Sequence, residues 1–181
     1  RWYLLHVSPA WTPTRFDIEG LREIQSKFFG TIKNVYNFLT LYANTDQIDI
    51  NSFCIPYENR TELDKWILSK YNNLIEAVRS EMEVYDLTRA VRKIQEFINE
   101  DFSNWYIRRA RRRFWEPDLT DDKKAVYNTT YEVMVGVIKL SAPFAPFLME
   151  EMYQKLTGGL SVHLTDYPIA NKKWIDEQVE E

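Results

Sequence analysis

The sequence predicts an all-α fold: a helical bundle of about five helices with a short extended segment near the C-terminus. Three observations predict it. Apolar residues recur at steps of three and four along almost the whole chain, the period of one face of a helix. Gly and Pro number only 5 and 7 in 181 residues, roughly 7% where about 12% is usual, and so few turns leave little room for many short strands. A composition of 45% hydrophobic and 28% charged residues describes a globular chain, long enough for one core and roughly one domain.

The elements can be placed in order. From Ile18 the stripe Leu21, Ile24, Phe28, Ile32, Val35, Leu39, Tyr42 predicts one long amphipathic helix with all of these on its core side. Residues 48–60 read as a loop holding Cys54 and Pro56. Thr61-Glu62-Leu63-Asp64 resembles a capping box and opens a second helix, with the stripe Leu63, Ile67, Tyr71, Leu74, Val78, Met82. Asp86 is the expected N-cap of a third, with Leu87, Val91, Ile94, Ile98 and Phe102 inward. The pattern loosens over residues 101–104. That predicts a break or bend before a short basic helix running to about Trp115 and stopped by Pro117.

Asp121 to Leu140 is apolar on two stripes, Tyr127/Tyr131/Met134/Ile138 and Val126/Val133/Val137/Leu140, so this helix is expected at the centre. Pro143 and Pro146 suit the start of a helix running to about Leu156 and closed by Gly158-Gly159. Ser161–Thr165 alternates in the manner of a strand. The chain opens at Arg1 without a methionine, and Trp174–Glu181 reads as a helix cut off early, so both ends look like cuts in a longer polypeptide. Residues 1–16 then read as the end of a preceding connecting segment and 17–157 as the helical bundle. Residues 158–181 read as an extended exit segment with the start of a truncated C-terminal helix.

Catalytic signals are scarce. His6 and His163 stand far apart, near no nucleophile motif or metal-ligand spacing, and read as structural or surface histidines. Cys54, the sole cysteine, excludes an intrachain disulfide and a Cys-rich zinc site, reads as an inert thiol, and fits a reducing compartment such as the cytoplasm. No glycine loop suited to phosphate is present, and Glu150-Glu151 near a helix start is explained by the helix dipole. No apolar window is long enough to span a membrane, and no signal peptide is apparent. The fragment is expected to be non-catalytic and to hold no metal or cofactor.

One stretch stands apart. Residues 104–115, from Asn104 to Trp115, carry five arginines and no acid. On a helical wheel with Trp105 at zero, Tyr106, Ile107, Ala110 and Phe114 fall between roughly 100° and 200°. Arg108, Arg109, Arg111, Arg112 and Arg113 cover the rest, and Trp105 and Trp115 lie among them instead of on the apolar face. Arginine forks suit phosphates and base edges, and indole planes suit stacking on unpaired bases. The other reading is a solvated cationic face whose arginines pair with the acidic surplus, with the tryptophans covering a neighbouring helix. The whole-chain charge of −4 argues against a generic basic nucleic-acid binder. With the five arginines of this stretch set aside, however, the remainder sums to −9.

The stretch Ser103-Asn104-Trp105-Tyr106-Ile107-Arg108-Arg109-Ala110-Arg111-Arg112-Arg113-Phe114-Trp115 resembles the arginine-rich signature of the anticodon-binding domain of isoleucyl-tRNA synthetases. Leu140-Ser141-Ala142-Pro143-Phe144-Ala145-Pro146-Phe147-Leu148-Met149-Glu150-Glu151 is similar to the Pro-Phe-x-Pro-Phe-x-x-Glu-Glu segment of the class I Val/Ile/Leu subgroup. Ser161-Val162-His163-Leu164 with Tyr167-Pro168 is similar to the segment after that helix in the same subgroup. The resemblance implies a tRNA-binding domain of a larger ligase that attaches isoleucine to its tRNA with ATP and Mg. It implies isoleucine tRNA, through the anticodon stem-loop, and the catalytic and editing domains of the same polypeptide as partners, with no membrane or DNA. It adds Lys33, Asn34 and Asn37 on the first long helix to Trp105, Arg108, Arg109, Arg111, Arg112, Arg113 and Trp115 as RNA-contacting residues. Lys33 stands where many relatives have tryptophan, which exchanges an aromatic stack for a cation. Two rivals remain: a helical protein-interaction module with a basic docking helix, and the equivalent domain of a valyl or leucyl enzyme.

Overall fold

Side-chain caps start the main helices where the sequence expects them. In the computed structural model, which describes residues 1–180, Asp17 accepts from the amides of Glu19 and Gly20 and opens α2 (Ile18–Ile24). Thr61 and Asp64 form the expected capping box of α4 (Glu62–Glu83). Asp86 accepts from Arg89 N at the start of α5 (Leu87–Glu96), and Thr120 from Lys123 N at the start of α7 (Asp121–Ser141). Pro146 occupies the first turn of α8 (Pro146–Thr157), where its missing N–H costs nothing. That helix closes on Gly158 at φ 70, a left-handed cap that glycine adopts without strain.

Before these, α1 (Trp2–Val7) lays Trp2 against Phe28, ring centroids 3.9 Å apart. A π-helical stretch (Gln25–Phe29) joins α2 to α3 (Gly30–Thr45), so the first long helix is continuous, as expected. Its stripe is buried from Ile24 to Leu39, but Ile18 and Leu21 are exposed, contrary to expectation. They lie in the first turns, where α2 overhangs the bundle and meets mainly α1.

The second difference is at residues 101–104. No break occurs there: α5 runs into an eleven-residue π-helical stretch (Phe97–Ile107) and on into α6 (Arg108–Phe114). The buried residues Ile94, Ile98, Phe102, Tyr106, Ala110 and Phe114 recur strictly every four positions. In a regular α-helix such steps drift by about 40° each, whereas the wider i→i+5 turn holds them to one face. The loosened pattern is a change of helix pitch.

The central helix is α7, whose Val126, Tyr127, Val133, Met134, Val137, Ile138 and Leu140 are buried and which packs on α3, α4, α6 and α8. The loop at 48–60 is fastened to it. Asn128 accepts from Ile55 N and donates to Phe53 O, while Arg60 reaches Glu132 at 2.8 Å.

Ser161–Thr165 is not a strand, and there is none among the described residues. The Glu150 carboxylate accepts from Val162 N at 2.8 Å and from Ser161 Oγ, which bends the segment into a 3-10 turn with Val162 inside and Leu164 outside. The exit segment then runs extended along α4, with Asn171 N on Asn72 and Trp174 stacked on Tyr57 at 5.0 Å. Trp174 ends a 3-10 turn instead of opening a helix, and α9 (Glu177–Glu180) starts later than expected; Glu181 lies outside the described residues.

At Gly136, α7 comes up against Tyr71 of α4. A Cβ there would overlap the hydroxyl and ring of Tyr71, which is buried. Gly136→Ala should therefore lower stability by about 1–3 kcal/mol despite its better helix propensity. Thermal unfolding checks this; a raised midpoint would mean that α4 and α7 can separate freely.

Candidate nucleic-acid interface

The basic helix is set by a buried ion pair. Asp64 has 0% exposure, and the Arg113 guanidinium donates to both of its oxygens at 2.8 and 2.7 Å. Tyr106 OH donates to the same carboxylate at 2.6 Å and Thr61 Oγ1 at 2.8 Å. Arg113 also donates from Nε to Asp122 at 2.9 Å. Burial pushes the Asp64 carboxyl up, but Arg113, Tyr106 and Thr61 outweigh it and hold it below its ordinary 3.8. Burial opposes the charge on Arg113, and its bonds to Asp64 and Asp122 more than restore it. Burial beside Asp64 pushes Tyr106 far up, so the phenol stays a donor.

A second clamp adjoins it. Lys123, 2% exposed, reaches Asp46 at 2.7 Å and the Glu116 carbonyl at 2.6 Å, and Tyr127 OH donates to Asp46 at 2.6 Å. Asp122 and Lys123 are neighbours at the start of α7. The two clamps therefore fix α3, α4, α6 and the 115–120 loop against one helix end.

Arg113 is thus not on the outer surface: its side chain is only 14% exposed and engaged within the bundle. Arg108, Arg109, Arg111 and Arg112 are exposed, and among the described residues none of the four pairs with a carboxylate. The Arg109 guanidinium lies 3.7 Å from the Trp105 ring centroid, and that of Arg111 5.8 Å from Phe38. Trp105 is 46% and Trp115 57% exposed. Trp115 Nε1 donates to Tyr42 OH at 2.7 Å, which holds the indole between α6 and α3.

On α3, Lys33, Asn34 and Asn37 are all exposed. Asn34 stands one turn from Phe38 and Asn37 beside it, and Phe38 packs edge-on against Phe114 of α6 at 5.0 Å. Helical spacing thus places both asparagines, with exposed Leu41, next to the arginine face. Lys33, one turn before Asn37, also acts by its charge on Glu151 of α8. Of the ten expected residues nine are exposed, and Arg113 is the one turned into the bundle. Tyr42 and Trp66 join the surroundings unannounced. Trp66 falls off the core stripe of α4, the same sign that drew attention to Trp105, and its ring lies 5.9 Å from that of Trp105.

Comparisons with known proteins show the family. The sequence model of a family described as the anticodon-binding domain of tRNA ligase matches residues 64–181. The isoleucine–tRNA ligase of Porphyromonas gingivalis is 43% identical over 182 residues, covering 100% of this chain and 16% of that protein. That of Cytophaga hutchinsonii is 41% identical (100% and 17%), and that of Clostridium acetobutylicum 41% (100% and 18%). The chain therefore spans 16% to 18% of the length of these relatives. Among solved structures, a LeuRS of Agrobacterium radiobacter, from a LeuRS-tRNA-LeuAMS ternary complex, has TM-score 0.66 at 17% identity, covering 97% of this chain and 20% of that one. That likeness concerns the fold.

The Asp64 pair makes stability depend on acid. Its folded pKa is depressed, so its contribution is present above the ordinary carboxylate pKa and is lost as pH falls through the depressed value, below about pH 4. Asp64→Asn should cost about 3–5 kcal/mol near neutral pH, because it strands Arg113, and should flatten that acid dependence. Unfolding midpoints across pH test both expectations; an unchanged profile would mean that Asp64 does not set the acid response.

Proposed function

The chain belongs to the family of anticodon-binding domains of tRNA ligases, and from that premise we propose that it holds the anticodon stem-loop of isoleucine tRNA for a ligase that attaches isoleucine to that tRNA. The single observation that carries this is the set of four exposed arginines, free of carboxylate partners among the described residues and flanked by Trp105 and Trp115. Phosphate and base edges fit such forks, and unpaired bases fit the indoles.

In this reading the two clamps are the frame and the exposed face is the contact. Arg108, Arg111 and Arg112 meet phosphate or base edges. Asn34 and Asn37 line the α3 side, and Trp115, oriented by Tyr42, offers a stacking plane. Arg109 stands against Trp105 and stiffens it. Arg113 acts through positioning alone, and Lys33 meets phosphate only if the RNA extends toward α8. Activation of isoleucine with ATP and Mg, transfer to the tRNA and editing then belong to other parts of the polypeptide, and the protein works in the cytoplasm. The relatives' identities of 40–43% favour the isoleucine enzyme over its valyl and leucyl neighbours.

Binding of isoleucine tRNA, against the same tRNA with a changed anticodon, tests the reading. Arg108→Ala, Arg111→Ala and Arg112→Ala should each weaken binding and flatten the log–log salt slope by about 0.7–0.9 wherever the lost contact was to phosphate. Equal affinity for both tRNAs, with all three variants silent, would overturn it and favour an acidic protein partner for the basic helix.

A further inference from the structure

Trp105 and Trp115 flank the same arginines but stand in different surroundings. Trp115 is steadied by its bond to Tyr42 and has no cation over its ring among the described residues. Trp105 carries the Arg109 guanidinium 3.7 Å from its ring centroid, contact distance for a cation on the ring face. The two residues are four apart along one continuous helix, Trp105 in the π-helical stretch and Arg109 in α6, so they share a helix face. Trp66 of α4 approaches the same indole, with centroids 5.9 Å apart and planes tilted by 40°. Lys70, one turn on from Trp66, stands 5.9 Å from that second ring and pairs with Glu180 at 3.2 Å. The Glu180 carboxylate also accepts from Ser69 and Asn73. Arg109, Trp105, Trp66 and Lys70 therefore form a series of contacts that runs from the arginine face to α4 and is tied there to the exit segment.

This arrangement limits what Trp105 can do. A base inserted between the two indoles needs about 7 Å, twice the contact distance of stacked planes. The gap is smaller than that, and one face of Trp105 is already given to Arg109. The guanidinium gives up nothing by stacking, because it offers its flat face to the ring and keeps its N–H donors around the edge. Arg109 is exposed, and no carboxylate takes those donors among the described residues. An unsupported arginine loses rotamer freedom when it meets phosphate, whereas one held on a ring has lost much of that freedom beforehand. Arg109 has the closest aromatic support of the four exposed arginines. Arg111 stands 5.8 Å from Phe38, and Arg108 and Arg112 lie over no ring among the described residues.

We propose that Trp105 is a positioning residue: instead of stacking on a base it holds Arg109 over its ring, so that the guanidinium meets a phosphate of the bound RNA already oriented. Trp66 supports the indole from α4. The proposal rests on the RNA-binding reading and divides the two tryptophans of that face, Trp115 to stacking and Trp105 to orientation.

A double-mutant cycle with the anticodon stem-loop of isoleucine tRNA tests it, Trp105→Leu and Arg109→Met being measured singly and together over a range of salt. Arg109→Met should weaken binding and flatten the log–log salt slope by about 0.7–0.9. Trp105→Leu changes no charge, yet it should flatten the slope in the same direction and weaken binding at least about threefold. In the Arg109→Met background its effect should fall below about twofold. Trp105→Phe, which keeps a ring under the guanidinium, should restore both affinity and slope, circular dichroism confirming that each variant is folded. If Trp105→Leu weakens binding equally in both backgrounds and leaves the slope unchanged, the indole stacks on a base itself; the positioning role is then overturned and the RNA-binding reading stands. A silent Trp105→Leu or Arg109→Met overturns that role as well, and the reading stands so long as Arg108→Ala, Arg111→Ala or Arg112→Ala weakens binding. If the unaltered chain binds no stem-loop, both fall together.

Discussion

The pairing of Arg113 with Asp64 is the constraint on which the surface depends. Helix α6 is the last seven residues of the continuous helix that begins as α5, and its five arginines place like charges at i,i+3 and i,i+4 that work against it. Continuity with α5 does not by itself fix this end against the bundle. What holds it is burial of Ala110 and Phe114 together with one arginine turned inward onto a carboxylate that, among the described residues, has no other cation. Burying two charges carries a large desolvation cost, so the pair is better understood as fixing register than as adding stability. With Arg113 inward, the helical spacing leaves Arg108 and Arg112 pointing out. Arg111 is then directed toward α3 and Arg109 toward α4. The neighbouring Lys123–Asp46 pair does the same for the end of α3, so Asn34, Asn37 and Tyr42 share that frame.

How much of this was legible in the sequence depends on range. The caps at Thr61 and Asp86, the glycine at 158 and the core stripes depend on residues within one turn of each other, and periodicity and local side-chain chemistry expose them. The exposed arginine arc was legible for the same reason, since a wheel needs only twelve residues in a row. Its one misplaced member was not. Arg113 differs from its neighbours through Asp64, 49 positions away, and through Asp122, and no local pattern marks that partnership. The strand expected at Ser161–Thr165 failed similarly: the deciding group is the Glu150 carboxylate on the preceding helix. The π-helical stretch left a trace that a 3.6-residue template misreads as disorder, namely apolar residues every fourth position from Ile94 to Phe114. Ile18 and Leu21 show the opposite limit. They carry the period of a core face, but the core ends before it reaches them.

The change of pitch also explains why the second tryptophan of the site was missed. Trp66 is half-buried on α4, off its core stripe, and gains its aromatic partner only when Trp105 is brought opposite it by the turns between Phe97 and Ile107. A regular helix with the same residues would advance Trp105 around the axis relative to Phe102 and Tyr106, and one of the three would leave its place. The core keeps Phe102 and Tyr106 fully buried, Tyr106 bonded to Asp64. The wider helix therefore lets a single segment satisfy the core and present Trp105 to Trp66.

The charge of −4 takes on a different meaning once it is located. An evenly basic surface attracts RNA everywhere and orients it nowhere, because phosphate attraction carries no sequence information. Here four arginines without carboxylate partners among the described residues are concentrated on one short segment, while Asp64, Asp122 and Asp46 are spent on internal pairing. A polyanion meeting such a surface is drawn most strongly to that segment, so the field itself biases the pose. Arg109 and Asp101, of opposite sign, stand only eight positions apart in sequence. The acidic excess, which argues only against a generic basic binder, is thus part of what would let a concentrated basic helix hold RNA in one orientation.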